Sequence, residues 1–374
     1  MAEHALAQRL LRADSEITTN AREHWAAWVN GEIPADWPLQ GWVSTKNAFS
    51  MDGEEHRRQR ALFGPALAPR KVANMGSSIS KVIAERLDIL ASKEEEAPGQ
   101  SIDLREEYFA PIQAMVIGRF VGTDGDKFRA AVTGMFDSKD AARVQAAAAE
   151  LTAHVHELVQ EKRDAPAEDL TSDLLRAWDP DSGTRLSDEE VQSIILMITA
   201  AGYETTVGTL TRATANICSH PHQRALVQGG TATWHDVVEE TLRLQPALAL
   251  RIMRAVRPGK SLHDEETGVS VCPGAPVALH YGAIGLDQDV HGEDAAEFDI
   301  QRPTRGKHLS FGYGPHVCPG RSLALLVATT ALEALFERYR DLQLAVPPQG
   351  LPGPGTCMSN GHASLPVFLT PAPS

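Results

Sequence analysis

Phe311-Gly312-Tyr313-Gly314-Pro315-His316-Val317-Cys318-Pro319-Gly320 is the stretch on which the reading of this chain turns. Its glycines allow tight backbone turns and close approach to a flat ligand. Cys318 stands just before a segment, Arg321 to Tyr339, that reads as a helix, and Pro319 suits the first turn. The positive end of that helix favours thiolate over thiol. Backbone N–H groups in the turn can donate to the sulfur. A lone cysteine in a Gly-rich turn is ordinarily a small buried hydrophobe. Here it is accompanied by three glycines, a histidine and a following helix.

Working outward, Leu196-Met-Ile-Thr-Ala-Ala-Gly-Tyr-Glu-Thr-Thr206 lies inside a long helix predicted from Asp188 to Ser219. Ser187 and Glu190 fit a capping box at its start, and His220-Pro221 ends it. Its length would be roughly 48 Å. Glu204 interrupts an apolar segment, and a buried carboxylate is costly without partners or work. Gly202 lowers helix propensity by about 1 kcal/mol relative to Ala and removes a side chain where something must lie close. Thr205 can bond back to a carbonyl one turn earlier and open a local groove. An acid (Glu204) and an alcohol (Thr205) beside a small-residue gap (Ala201, Gly202) suit proton delivery to a bound ligand. A helix with a solvated polar stripe is the plainer alternative.

Two further patterns stand out. Glu240 and Arg243 share a face of a helix predicted from Trp234 to Leu244, which stops before Pro246. Glu54/Arg57, Glu55/Arg58 and Glu337/Arg340 have the same spacing, so position, not spacing, selects Glu240. In Glu55-His-Arg-Arg-Gln-Arg60, His56 and Arg60 are four apart on one helical face.

The pattern Phe-x-x-Gly-x-His-x-Cys-x-Gly resembles the heme-binding loop of cytochromes P450, and Ala201-Gly-Tyr-Glu-Thr205 resembles the family's Ala-Gly-x-Glu-Thr motif. The Glu-x-x-Arg pair and the His-x-x-x-Arg helix look like the family's, in its order. The similarity to soluble bacterial members runs from about Ala5 to Leu369. It implies a mainly α protein with small β-sheets in the P450 fold, as one domain over 1–374. It implies heme b with Cys318 as axial ligand, a thiolate that favours O–O cleavage. Ala201, Gly202, Phe311, Gly312 and Gly320 would lie against the cofactor. His56, Arg60, His316 and Arg254 would meet its propionates through charge-assisted bonds. Arg251 competes with Arg254, which is favoured for its following Ala. Arg302 would join Glu240 and Arg243 in a buried cluster that serves geometry more than net stability.

The implied reaction is a monooxygenation by dioxygen and two electrons, from NAD(P)H through a ferredoxin reductase and a ferredoxin. Arg57, Arg58, Lys71, Arg305, Lys307 and Arg321 offer positive charge for an acidic ferredoxin, or are simply scattered surface cations. The substrate is expected to be a small, largely apolar molecule such as a secondary metabolite, to be hydroxylated, epoxidised or oxidatively coupled. Trp42, Phe49, the turn 247–250 with Leu248, and Met358 to Asn360 resemble substrate-contacting segments. A peroxide-driven peroxygenase would not need Glu204 and Thr205, and a catalytically silent binding module would not need Cys318.

Two departures from the family pattern are visible. Gly285-Leu286-Asp287 stands where relatives often have Asn-Arg-Asp. Residues His4 to Asp14 already resemble a later helix, so the first helix and the two outer strands of the main sheet are expected to be lacking. An open edge made by residues near 250–256 and 276–281 would follow, and exposed edges invite pairing. A hairpin within residues 1–20 would contradict this.

Composition agrees with a large globular enzyme. The chain has 374 residues, 43% hydrophobic and 22% charged. Its 35 basic and 49 acidic residues give a net charge of −14, which disfavours nucleic acid as a partner. Four scattered cysteines, with no CxxC, argue against a zinc site or a disulfide scaffold and for a reducing cytoplasm. The N-terminus lacks the apolar core of a signal peptide. No unbroken run of about 18 apolar residues is present, so no membrane span is expected. A monomer is expected. An amphipathic stretch covers Val72 to Ala91, short strands are predicted at Val269–Val271 and Pro276–His280, and the tail 342–369 reads as a hairpin.

Overall fold

The computed structural model describes residues 3–12, 15–37, 39–136, 140–179, 183–263, 268–354 and 358–370. The helix Asp188–Ser219 runs through the main core. Its capping box is formed: the Ser187 N–H donates to Glu190 Oε2 at 2.8 Å, and the Glu190 N–H to Ser187 Oγ at 3.2 Å. By length and mean hydropathy this helix passes the test for a membrane span, contrary to the expectation from unbroken runs, yet 72% of its apolar window is buried in the protein. A helix surrounded by protein on all sides needs the same apolar composition as one in lipid.

Helices Ala110–Val121, Ala141–Asp164, Trp234–Leu244 and Arg321–Arg338 pack around it. The rings of Trp234 and Phe336 stack at 4.9 Å between the last two. The predicted Val72–Ala91 stretch is divided into Pro69–Asn74 and Gly76–Glu96, the second reaching further than its apolar pattern.

The main sheet is antiparallel, in the order Ile17–Thr18, Leu250–Val256, Pro276–His280. The expected open edge is therefore half corrected. Leu250–Val256 is the central strand, because Ile17 and Thr18 pair with Val256 and Ala255. Of the two strands expected to be open, Pro276–His280 alone keeps an edge without a partner strand among the described residues, and Ile17–Thr18 forms the other edge of the sheet. Within residues 1–20 a helix, His4–Leu10, precedes that short strand, and no hairpin forms among the described residues. A second hydrophobic cluster, including Ala7, Leu10, Ile17, Val256 and Leu279, joins this helix to the sheet. The tail strand Pro366–Phe368 pairs with Gln343–Leu344, as expected of a hairpin, and also with Ile102–Asp103.

At the first departure the structure supplies a reason for glycine. A Cβ on Gly285 would lie 1.9 Å from the carbonyl oxygen of Arg243, so only glycine fits that approach.

The described cysteines are free. Burial pushes the Cys218 thiol up to about 12, whereas Cys272 is exposed. Since thiolate is the nucleophile, Cys218 is about one part in ten thousand reactive at pH 8. Iodoacetamide at pH 8 is expected to modify Cys272 and spare Cys218 in native protein. Mass mapping that finds Cys218 alkylated as fast as Cys272 would contradict this placement.

Candidate active site

A cavity of about 1450 Å³, counting its mouth, lies between the long helix, the cysteine loop, the helix Gly53–Phe63 and the central strand. The loop is fixed by its own backbone. The Cys318 N–H donates to the Phe311 carbonyl at 2.7 Å, and the Gly312 N–H to that of Leu309 at 2.7 Å. Gly314 is left-handed, with φ of 70°, and a Cβ there would sit 2.4 Å from the Leu11 carbonyl oxygen. Cys318 faces the cavity. Burial pushes its thiol up, and this outweighs the N–H groups of Gly320 and Arg321 and the guanidiniums of Arg60 and Arg251 that pull it down. The helix start favours the thiolate, as the sequence reading has it, and burial opposes it by removing the water that would solvate the charge. A coordinated metal would deprotonate the thiol outright.

The expected propionate residues converge on the same cavity: His56, Arg60, Arg254 and His316 all line it. Arg60 donates to the Val317 carbonyl at 2.9 Å. The rings of His56 and His316 lie 4.1 Å apart. Burial, then His316 and Arg60, push His56 down to about 4. Burial pushes the Arg254 guanidinium down to about 10.

Asp52, which the sequence reading missed, anchors this group. Burial alone would raise its carboxyl, but hydrogen bonds from His316, Thr18 and Thr19 hold it far below the usual range. His316 Nε2 lies 3.0 Å from Asp52 Oδ1, and the Thr19 N–H donates to Oδ2 at 2.9 Å. Asp52 occupies the cap position of helix Gly53–Phe63, yet its side chain makes no capping bond and is spent on these partners. An Asp before a helix start was the one available signal, and it points to capping.

On the long helix, Thr205 Oγ1 donates to the Ala201 carbonyl at 2.7 Å, as expected. Ala201, Gly202, Thr205 and Thr209 line the cavity. Glu204 does not. It is buried on an adjacent face, where Arg105 Nη2 donates to its Oε2 at 2.8 Å and Ser359 Oγ to its Oε1 at 3.3 Å. Arg105 also donates to the His362 carbonyl at 3.2 Å. Tyr203 is buried and accepts from Thr133 at 3.3 Å.

Glu240, Arg243 and Arg302 meet as the spacing and resemblance implied. Arg243 binds both oxygens of Glu240 at 2.7 Å, and Arg302 Nε donates to Oε1 at 3.4 Å. Arg243 also donates to the carbonyls of Gly285 and Ala295 at 2.6 and 2.7 Å. Four of the six cations proposed for ferredoxin docking have carboxylate partners: Arg58 with Glu190, Lys71 with Asp173, Arg305 with Asp236, and Arg321 with Glu239.

Of the substrate-contact residues, Phe49 and Leu248 line the cavity. Trp42 stands behind Phe49, its ring 6.0 Å away and 5.9 Å from Phe136. Met358 is buried, and its carbonyl accepts from the Ala249 N–H at 3.1 Å. It is not part of the cavity wall.

The mainly helical fold and this cavity belong to one class of protein: the chain is a member of the cytochrome P450 family and a cytochrome P450 monooxygenase. The family profile "Cytochrome P450" matches residues 234–356. The 2-hydroxy-5-methyl-1-naphthoate 7-hydroxylase of Streptomyces carzinostaticus is 35% identical over 98% of this chain and 88% of its own length. The 6-deoxyerythronolide B hydroxylase of Saccharopolyspora erythraea is 31% identical over 86% of this chain and 78% of its own. The solved structure of CYP154A1 from Streptomyces coelicolor A3(2) superposes with a TM-score of 0.88 at 38% identity, covering 99% of this chain and 91% of its own.

Family membership implies a heme, and the residues present fit one. His56 Nε2 and Arg254 Nε are buried at the cavity wall with no hydrogen-bond partner among the described residues. Unpaired buried donors around an apolar space are what two propionates would satisfy.

Proposed function

We propose that this enzyme hydroxylates a small, largely apolar secondary metabolite, with Cys318 as the thiolate ligand of heme b. When bound, the heme supplies dioxygen activation. The observation that carries the reading is that Cys318 and Thr205, from the cysteine loop and the long helix, line one cavity whose remaining wall is mostly apolar. His56, Arg60, Arg254 and His316 orient the cofactor by its propionates. Thr205, held by its bond to Ala201, places an alcohol at the cavity wall. Glu204 places a carboxyl one residue away, its position fixed by Arg105 and Ser359. The exposed Glu106 lies 3.9 Å from Arg105 Nε. Electrons come from NAD(P)H through a ferredoxin reductase and a ferredoxin in the cytoplasm. The relatives' printed activities, hydroxylation of 2-hydroxy-5-methyl-1-naphthoate and of 6-deoxyerythronolide B, support hydroxylation of a secondary metabolite.

Thr205→Ala and Glu204→Gln are expected to bind ligands normally but to lose coupled product formation by on the order of 10²–10⁴, with electrons diverted to peroxide. Peroxide release and product per NAD(P)H consumed check this. Wild-type coupling in both variants would remove the proton-delivery role.

A further inference from the structure

Arg251 is not accounted for by the cofactor. Residues three apart on a regular strand point to opposite faces. Between Arg251 and Arg254 the pairing with Pro276–His280 shifts register, Arg251 opposite Leu279 and Arg254 opposite Val277. This irregularity turns both arginines into the cavity. Two propionates already have Arg254, His56, Arg60 and His316 to meet them. Asp52 is the one carboxylate that acts on Arg251, and it is already held by His316, Thr18, Thr19 and Arg257. Arg251 has no ion pair among the described residues, and its Nε has no partner. Burial pushes its guanidinium down, but arginine stays charged in proteins. A cation enclosed in an apolar space calls for an anion.

The surroundings specify the rest of that ligand. Arg251 stacks 3.9 Å over the Phe49 ring and donates to the Phe49 carbonyl at 3.3 Å, which fixes the plane of its fork. A fixed guanidinium fork matches a carboxylate with two parallel bonds. Phe49 is backed by Trp42 and Phe136, and Ile117, Met197 and Leu248 supply apolar wall. We propose that the substrate is a flat aromatic carboxylate, its ring system against Phe49 and its carboxylate on Arg251. This rests on the monooxygenase reading above and specifies its substrate class.

The test uses heme-loaded enzyme and ligand binding, not turnover, so it stands apart from failure of the proton-delivery reading. Three probes of one shape, 1-naphthoate, methyl 1-naphthoate and 1-naphthylmethylamine, are titrated by calorimetry and by the heme spectral shift. Wild type is expected to bind the acid at least tenfold more tightly than the ester and to exclude the amine. Arg251→Gln should lose at least tenfold for the acid, bind the ester as wild type does, and keep one heme per chain. Arg251→Lys should recover part of the acid affinity. The proposal is overturned if wild type shows no preference for the acid, a comparison that needs no variant to fold. It is overturned equally if Arg251→Gln weakens acid and ester alike, binds the acid as wild type does, or loses heme, which would make Arg251 a propionate ligand.

Discussion

Cys318→Ala protein is expected to fold, to lack the red-shifted Soret band of a thiolate-ligated heme after reduction under carbon monoxide, and to have no coupled turnover. The loop does not depend on the sulfur for its shape. Backbone bonds from Cys318 to Phe311 and from Gly312 to Leu309 close the turn, and Gly314 packs on the Leu11 carbonyl. Alanine keeps all of these, and the propionate residues are untouched. What would be lost is the proposed thiolate ligand, which pushes electron density toward dioxygen. Far-UV circular dichroism should match wild type while the carbonyl band moves or vanishes. A wild-type carbonyl spectrum in Cys318→Ala would mean that another residue ligates the iron, and the assignment would fail.

The second large effect is on stability. Arg243→Met is expected to cost about 3–5 kcal/mol, because it leaves the Glu240 carboxylate buried without its main partner. Glu240 and Arg243 are both fully enclosed, and Arg243 also satisfies the carbonyls of Gly285, Ala295 and Glu297. Methionine fills much of the same volume, so packing loss is the smaller share. Combining it with Glu240→Leu removes the orphaned charge, so the double variant should lose less than the two singles added together. Denaturant midpoints and heme retention measure all three. A loss under about 1 kcal/mol for Arg243→Met would show that the cluster behaves like a surface pair.

Local signals in the chain were legible and long-range ones were not. The capping box of Ser187 and Glu190, the stop before Pro246 and the back-bond of Thr205 all depend on neighbours within four residues, and all appear. The direction of Glu204 depends on Arg105, 99 residues earlier, and no periodicity links them. Asp52 reads as a helix cap because the chain alone does not show that Thr18, Thr19 and His316 will surround it. The basic residues read equally as a docking face or as scattered surface cations because their carboxylate partners, such as Glu190 for Arg58 and Asp236 for Arg305, lie far away in the chain.

Arg105 stands in a π turn, Arg105–Phe109, that runs directly into the helix Ala110–Val121. A turn of this kind holds one residue more than an α turn, and such turns are uncommon outside functional positions. Each residue advances an α-helix by about 100° around its axis. Removing one residue from this turn would leave Ala110–Val121 in register but rotate Arg105 away from Glu204, so the length of the chain at this point, as much as the identity of any side chain, fixes which cation the long helix Asp188–Ser219 meets.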